Sequence, residues 1–240
     1  MTLLDTMLAG ACIVVLSVLS SAGARGLVAE QTVKLSVHYE SLCPDSIRFV
    51  TKQLYPSWKH FGKDILKVDL NPFGKANVSC ESLSISVSDC LSQFTPSDGG
   101  SWDFTCQHGA DECRGNKVQA CILDKVSDPE EYVPLITCLM DSEFPPDAAG
   151  ECIASLGTQS VTVKEVEDCA HSDTGSSLLH DNGVRTKDLD PPLTFVPWLI
   201  YNDVYSTESM AQGMNNLTWV LCCKYLHGGD KCTGYPEHCL

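Results

Sequence analysis

Cys43-Pro44-Asp45-Ser46 places a sulfur and a hydroxyl three residues apart, a spacing at which two side chains share one helix face. A cysteine at a helix start is a candidate nucleophile, because the unpaired amides and the dipole there favour an anion, and a thiolate is an anion. The chemistry within reach is thiol–disulfide exchange, which begins when a thiolate attacks a disulfide sulfur. In a Cys-x-x-Cys pair the second sulfur completes the exchange from within. Here Ser46 holds that place, and a hydroxyl is a poor nucleophile toward sulfur. Taken alone, the segment fits a structural cysteine followed by a helix cap equally well.

The elements needed to position this pair are legible on either side of it. Val33, Leu35, Val37 and Tyr39 alternate with Lys34, Ser36, His38 and Glu40, the period of a half-buried strand, while Ile47, Val50, Leu54 and Trp58 mark a helix face. Pro44 suits the first helical turn, which puts Cys43 at the N-cap. Asp64 to Leu70 reads as a second strand, closed by Asn71-Pro72-Phe73-Gly74. Strand, helix, strand implies a parallel pairing with the helix on one face.

Farther on, residues 78–188 read as a disulfide-stapled, mainly helical insertion, with helical spacing around Val118 to Val126, Tyr132 to Met140 and Val161 to Ala170. Gly175 to Asp190 is polar and reads as a loop. Leu193 to Tyr201 regains sheet character, but Pro197 cannot donate to a central ladder. It marks either an edge strand or a cis-proline loop leading into a strand. Leu217 to Tyr225 reads as a final helix, and residues 228–240 as a tail pinned by Cys232 and Cys239. Adjacent Cys222 and Cys223 are expected to pair with separate partners, since a vicinal disulfide is strained.

Met7 to Leu19 is apolar and ends near Ala22-x-Ala24, the pattern of a secretory signal peptide over residues 1–24, although Asp5 stands where a basic residue is usual. No later stretch reaches the roughly 18 apolar residues a membrane span needs. The chain holds 14 cysteines. Removing Cys12 with the signal segment leaves an odd number, so complete pairing in an oxidising compartment leaves one thiol over, and Cys43 is the best candidate. A formal charge of −15, from 16 basic and 31 acidic residues, argues against nucleic acid as a partner. Cys106, His108, Cys113 and Cys121 could supply zinc ligands, but disulfides are the default in such a chain, and neither a metal nor a cofactor is expected. Asn77-Val78-Ser79 and Asn216-Leu217-Thr218 are glycosylation sequons at Asn77 and Asn216.

Residues 106–121 read Cys-Gln-His-Gly-Ala-Asp-Glu-Cys-Arg-Gly-Asn-Lys-Val-Gln-Ala-Cys. This segment resembles the signature of the gamma-interferon-inducible lysosomal thiol reductase (GILT) family, Cys-Gln-His-Gly-x-x-Glu-Cys-x-x-Asn-x-x-x-x-Cys, and matches it at every specified position. Cys43 at its helix start and Phe195-Val196-Pro197-Trp198 extend the resemblance over most of the mature chain. It implies an α/β fold: a thioredoxin-like core split into residues 25–77 and 189–240 around the insertion, with a cis Val196–Pro197 bond facing the redox motif. It also implies reduction of protein disulfides, outside the cell or in the endosomal and lysosomal lumen.

The family motif is Cys-x-x-Cys, and Ser46 departs from it. The resemblance therefore implies a weak monothiol reductase or isomerase in which Cys43 attacks, Ser46 and Pro197 complete the site, and a small external thiol releases the product. An ordinary thiol is almost wholly protonated at pH ~5. A hydrogen bond from the Ser46 hydroxyl would help a thiolate, and an ionised Asp45 would oppose it. The alternative is a secreted, catalytically impaired protein that keeps the fold and binds an extracellular partner.

Overall fold

The computed structural model describes residues 32–80 and 102–227. The expected signal segment, the Pro96-to-Gly100 turn signals and the tail expected from residue 228 lie outside them. The described residues form one compact unit.

β1 (Val33–Tyr39) is the middle strand of a sheet ordered β2-β1-β5. It runs parallel to β2 (Leu66–Pro72), from Val33 opposite Leu66 to Tyr39 opposite Pro72. It runs antiparallel to β5 (Trp198–Tyr201), with Leu35 opposite Tyr201 and His38 opposite Trp198. The alternation in β1 predicts one wet face, yet every residue except Lys34 is buried. Both faces of a central strand are covered here, so the polar side chains need internal partners. Ser36 Oγ donates to Asp69 Oδ2 at 3.1 Å, and Asn71 Nδ2 lies 3.0 Å from His38 Nδ1.

α1 (Pro44–Phe49) continues through a π-helical turn, Val50–Leu54, into α2 (Tyr55–Ile65). Pro56 has no N–H to give to the preceding turn, and a π turn is one way of accommodating that gap. Phe49, Val50, Leu54 and Trp58 are buried against the sheet, with Ile47 half-buried at the margin. Because α2 runs to Ile65, β2 begins two residues later than its sequence pattern suggests.

The insertion opens with strands as well as helices: β3 (Asn77–Cys80) pairs antiparallel with β4 (Trp102–Thr105). There follow α3 (Ala110–Lys125), α4 (Pro129–Asp141), α5 (Ala149–Leu156), α6 (Val163–Ala170) and α7 (Asp173–Lys187). Cys106–Cys113 clamps the start of α3, Cys121–Cys169 ties α3 to α6, and Cys138–Cys152 ties α4 to α5. Cys222 and Cys223 are also disulfide-bonded. α7 corrects the loop expected over Gly175 to Asp190. Its start is capped by Ser172, whose Oγ accepts from Thr174 N, and its inward face is Gly175, Leu179, His180, Gly183 and Thr186. That face follows helical spacing but carries only one large aliphatic side chain, so hydrophobic periodicity is almost silent.

The peptide bond before Pro197 is cis, and β5 begins at the next residue; of the two readings of this proline, the loop leading into a strand is the observed one. α8 (Thr207–Trp219) kinks at Asn216 and passes into a second π-helical stretch, Val220–Leu226. The final helix thus starts ten residues earlier than expected, capped by Ser206 Oγ on Ser209 N. A parallel β1–helix–β2 unit, with an antiparallel strand after a cis-proline and a helix behind it, is a thioredoxin-like α/β core. Among the described residues no helix is long and apolar enough to cross a membrane.

Leu179 separates the helix from the loop reading. It has no solvent exposure and packs with Phe73, Ala76, Cys106 and Cys113. Leu179→Ala should therefore lower unfolding free energy by about 2–5 kcal/mol in chemical denaturation. A loop side chain would give less than ~0.5 kcal/mol.

Candidate active site

Cys43 is the N-cap of α1, with extended backbone (φ −70°, ψ 121°) and Pro44 in the first turn. Its carbonyl accepts the first helical bond, from Ile47 N at 2.9 Å. Its thiol is the free cysteine among the described residues, and it is 8% exposed. The expected placement therefore holds, and the sulfur is more enclosed than the sequence suggests. Asp45 beside it is paired with Arg48 at 3.0 Å, so the acidic side chain does not face the helix start as an uncompensated charge.

Ser46 has no solvent exposure. Its hydroxyl accepts from the Glu40 amide at 3.4 Å, and no hydrogen bond joins it to Cys43. The thiolate-supporting bond expected of Ser46 is thus absent; the hydroxyl reaches back to the end of β1 instead. Pro197 lies one residue before the partner of His38 in the β1–β5 register. This puts the cis-proline at the end of the sheet from which the chain leaves β1 for Cys43. Beside it Phe195 is 40% exposed and sits edge-on to Trp198 at 5.0 Å. Asn77 and Asn216 are both exposed and belong to other parts of the molecule.

What holds the turn between β1 and Cys43 is the first half of α3. Ser41 N donates to Asn116 Oδ1 at 2.9 Å, Ser41 Oγ donates to the Glu112 carbonyl at 3.1 Å, and Tyr39 OH donates to Gln119 Oε1 at 2.6 Å. Gly115 permits this approach, since a Cβ there would stand 2.5 Å from Ser41 Oγ. Of the motif residues at 108, 112 and 116, Glu112 and Asn116 are therefore buried around the approach to Cys43, while His108 is exposed at its edge. Sequence reasoning weighed His108 as a zinc ligand and did not connect these residues to the cysteine; the i, i+4 spacing of Glu112 and Asn116 on α3 was the available signal.

Glu112 also accepts from His108 N at 3.0 Å, and its other oxygen lies 2.5 Å from His108 Nδ1. Glu40 Oε2 is 3.6 Å from the same nitrogen, while Glu40 Oε1 accepts from Lys75 N at 2.7 Å. Glu40 and Glu112 have no solvent exposure. Burial above all pushes the Glu40 carboxyl up from its usual range; the Lys75 amide bond opposes this, the Glu112 charge adds to it, and His108 and Lys75 oppose it further. The three side chains bring donor atoms within 4.8 Å of one another, but two ligands of one zinc ion at ~2.0–2.1 Å stand about 3.3 Å apart. A 2.5 Å contact is a hydrogen-bond distance. The zinc set weighed from sequence fails more simply: Cys106, Cys113 and Cys121 are all in disulfides.

The family profile of the gamma-interferon-inducible lysosomal thiol reductase (GILT) matches residues 34–156, a span that includes Cys43, Ser46 and all of α3. This chain belongs to the GILT family. A gamma-interferon-inducible lysosomal thiol reductase of Carassius auratus is 32% identical over 199 residues, 83% of this chain and 70% of that protein. GILT-like protein 1 of Drosophila melanogaster is 34% identical over 202 residues, 79% and 74% of the two chains. The crystal structure of Chlamydia trachomatis DsbA aligns with a TM-score of 0.47 at 13% identity, over 79% of this GILT-family chain and 88% of that one.

Of the other histidines, His60 is exposed on α2 beside Phe61. His38 is buried, 3.1 Å from Thr186 Oγ1, and its pKa is lowered from 6.5 to about 4, by burial first and Arg185 second, with Asp69 opposing. A base whose pKa falls on folding takes up protons in the unfolded chain first. Its stabilising contribution is present above pH 6.5 and is lost as pH falls toward 4. Wild type should lose about 3 kcal/mol more than His38→Gln over that interval. Parallel stability curves from urea titrations at a series of pH values would refute it.

Proposed function

We propose that this GILT-family chain is a thiol–disulfide oxidoreductase acting on protein disulfides through the single nucleophile Cys43. The observation that carries the reading is a free thiol at a helix N-cap, next to a cis-proline end of the sheet, in a chain where eight other described cysteines are in disulfides. The Cys43 thiolate attacks one sulfur of the substrate R–S–S–R′, forming Cys43–S–S–R and expelling R′–S⁻. In a dithiol protein an internal partner at an effective molarity of ~10⁵ M or more then attacks the mixed disulfide. Ser46 cannot, so an external thiol attacks instead, restoring Cys43 and leaving with R; a second external thiol completes the two-electron reduction.

Phe195, exposed beside Pro197, offers an apolar contact for the substrate chain. Asn77 and Asn216 are exposed and available to carry glycans, in keeping with a signal peptide and delivery outside the cell or to the endosomal and lysosomal lumen. A second reading is favoured by the burial of Cys43: a catalytically impaired member that binds an extracellular partner through its surface.

Reduction of a fluorescently quenched disulfide peptide at pH 4.5 and 7, with millimolar small thiol, separates the two. Cys43→Ala should abolish the rate above the thiol background. Ser46→Cys should raise it tenfold or more, because the exchange can then finish internally. Equal rates for wild type and Cys43→Ala would leave only the binding reading.

A further inference from the structure

The Glu40–His108–Glu112 cluster has no step of its own in the exchange. We propose that these three side chains are positioning residues for Cys43: His108, held to Glu112, closes the start of α3 against the buried Glu40 at the end of β1, and the tie is firmest in acid. The proposal rests on the reading of Cys43 as the reacting sulfur.

Geometry comes first. Three peptide units separate Glu40 from Cys43, and the turn between them is fixed from α3 by Asn116 and Glu112. Glu40 Oε2 is buried and has no hydrogen-bond partner, and His108 Nδ1 lies 3.6 Å from it. The groups that face the Glu40 carboxyl are Lys75 from the turn after β2, His108 from the turn before α3, and Glu112 from α3. Glu40 has no room to move toward the β2 turn. Gly74 lies there with φ +58°, and a Cβ at Gly74 would come within 2.3 Å of Glu40 Cγ. His108 is one-third exposed, so protons reach the cluster from solvent.

Burial then sets the direction. Loss of the Glu40 proton puts a charge on a carboxyl that has no solvent exposure, which burial penalises. A carboxyl whose pKa is raised on folding stabilises the fold fully below its unfolded value, and that contribution is lost as pH climbs through the folded one. The turn before Cys43 is accordingly held best at the acidic end.

Hydrogen exchange of the Ser41 amide in the intact protein reads the tie, with protection factors corrected for intrinsic rates between pH 4.5 and 7.5. Iodoacetamide labelling of Cys43 under the same conditions reads its consequence. In wild type the Ser41 protection factor should fall several-fold as pH rises. In Glu40→Gln it should stay flat, and in His108→Ala it should be low throughout. If His108→Ala does not fold, Glu40→Gln alone decides.

The ratio of Cys43 labelling rates, wild type over Glu40→Gln, should change with pH in step with Ser41 protection. Identical pH profiles in wild type and Glu40→Gln would overturn the proposal. So would a wild-type profile abolished by a chelator, since a metal ion and not the Glu40 carboxyl would then set the pH dependence. Neither result depends on reductase activity: a Cys43→Ala assay that sinks the catalytic reading leaves the Ser41 exchange result standing.

Discussion

The turn from Tyr39 to Ser41 must be both buried and polar, and everything that makes Cys43 usable depends on meeting that requirement. A strand end taken out of water carries amides, hydroxyls and, here, a carboxylate that each need a partner. Those partners come from far along the chain: Asn116 for the Ser41 amide, the Glu112 carbonyl for its hydroxyl, Gln119 for Tyr39. Core and insertion are therefore not independent modules joined by a linker. Removing α3 would orphan the groups that set the N-cap geometry, and the disulfide between Cys106 and Cys113 secures the end of α3 where that geometry is most sensitive. The long polar motif reads most directly as the scaffold of the redox turn.

Much of this was legible from residue types. The Cys43-Pro44 helix start, the parallel β1–β2 pairing and the helices carrying Val118, Leu139 and Val166 followed from local rules of capping and periodicity. The resemblance added the cis bond at Pro197 and the thioredoxin-like core. What could not be read were features set by tertiary context. The inward face of α7 is made of Gly175, Gly183, His180 and Thr186 around one leucine, so it lacks the apolar stripe on which helix recognition relies. Gly183 is needed there because a Cβ would meet the Phe73 ring at 2.7 Å, a contact no one-dimensional pattern reports. The alternation in β1 was real but misleading, since its polar face is covered by α7 and β2 instead of water. Glu40 passed for an exposed strand-end residue for the same reason.

On the proposed mechanism, Ser46 leaves the site without one reaction while its architecture stays in place. A residue without solvent contact, accepting from the Glu40 amide, is part of the packing that orders the turn. A serine fits that place and preserves the helix start, so the change removes the internal second thiol without dismantling what presents the first. The consequence is kinetic. On the proposed mechanism attack by Cys43 remains possible, while release would pass to a bimolecular step that depends on the supply of external thiol. A long-lived mixed disulfide is as well suited to capturing a partner as to turning one over, which is why the oxidoreductase and binding readings diverge only at release.

The two buried titrating groups beside the sheet pull in opposite directions with pH. His38 sits on β1 against α7, where desolvation favours its neutral form and acid works against the fold. Glu40 sits one residue beyond the end of the same strand, where desolvation favours its neutral form too, but for a carboxyl that means acid works in favour. Each is the ordinary response of an ionisable group to burial; their placement turns it into a division of labour. Acidification relaxes the packing of α7 on the sheet while tightening the turn that carries Cys43. A chain whose Cys43 sulfur is enclosed can tolerate some loss of global stability provided the few residues ahead of that sulfur stay in place. That balance is built from one histidine and one glutamate two residues apart.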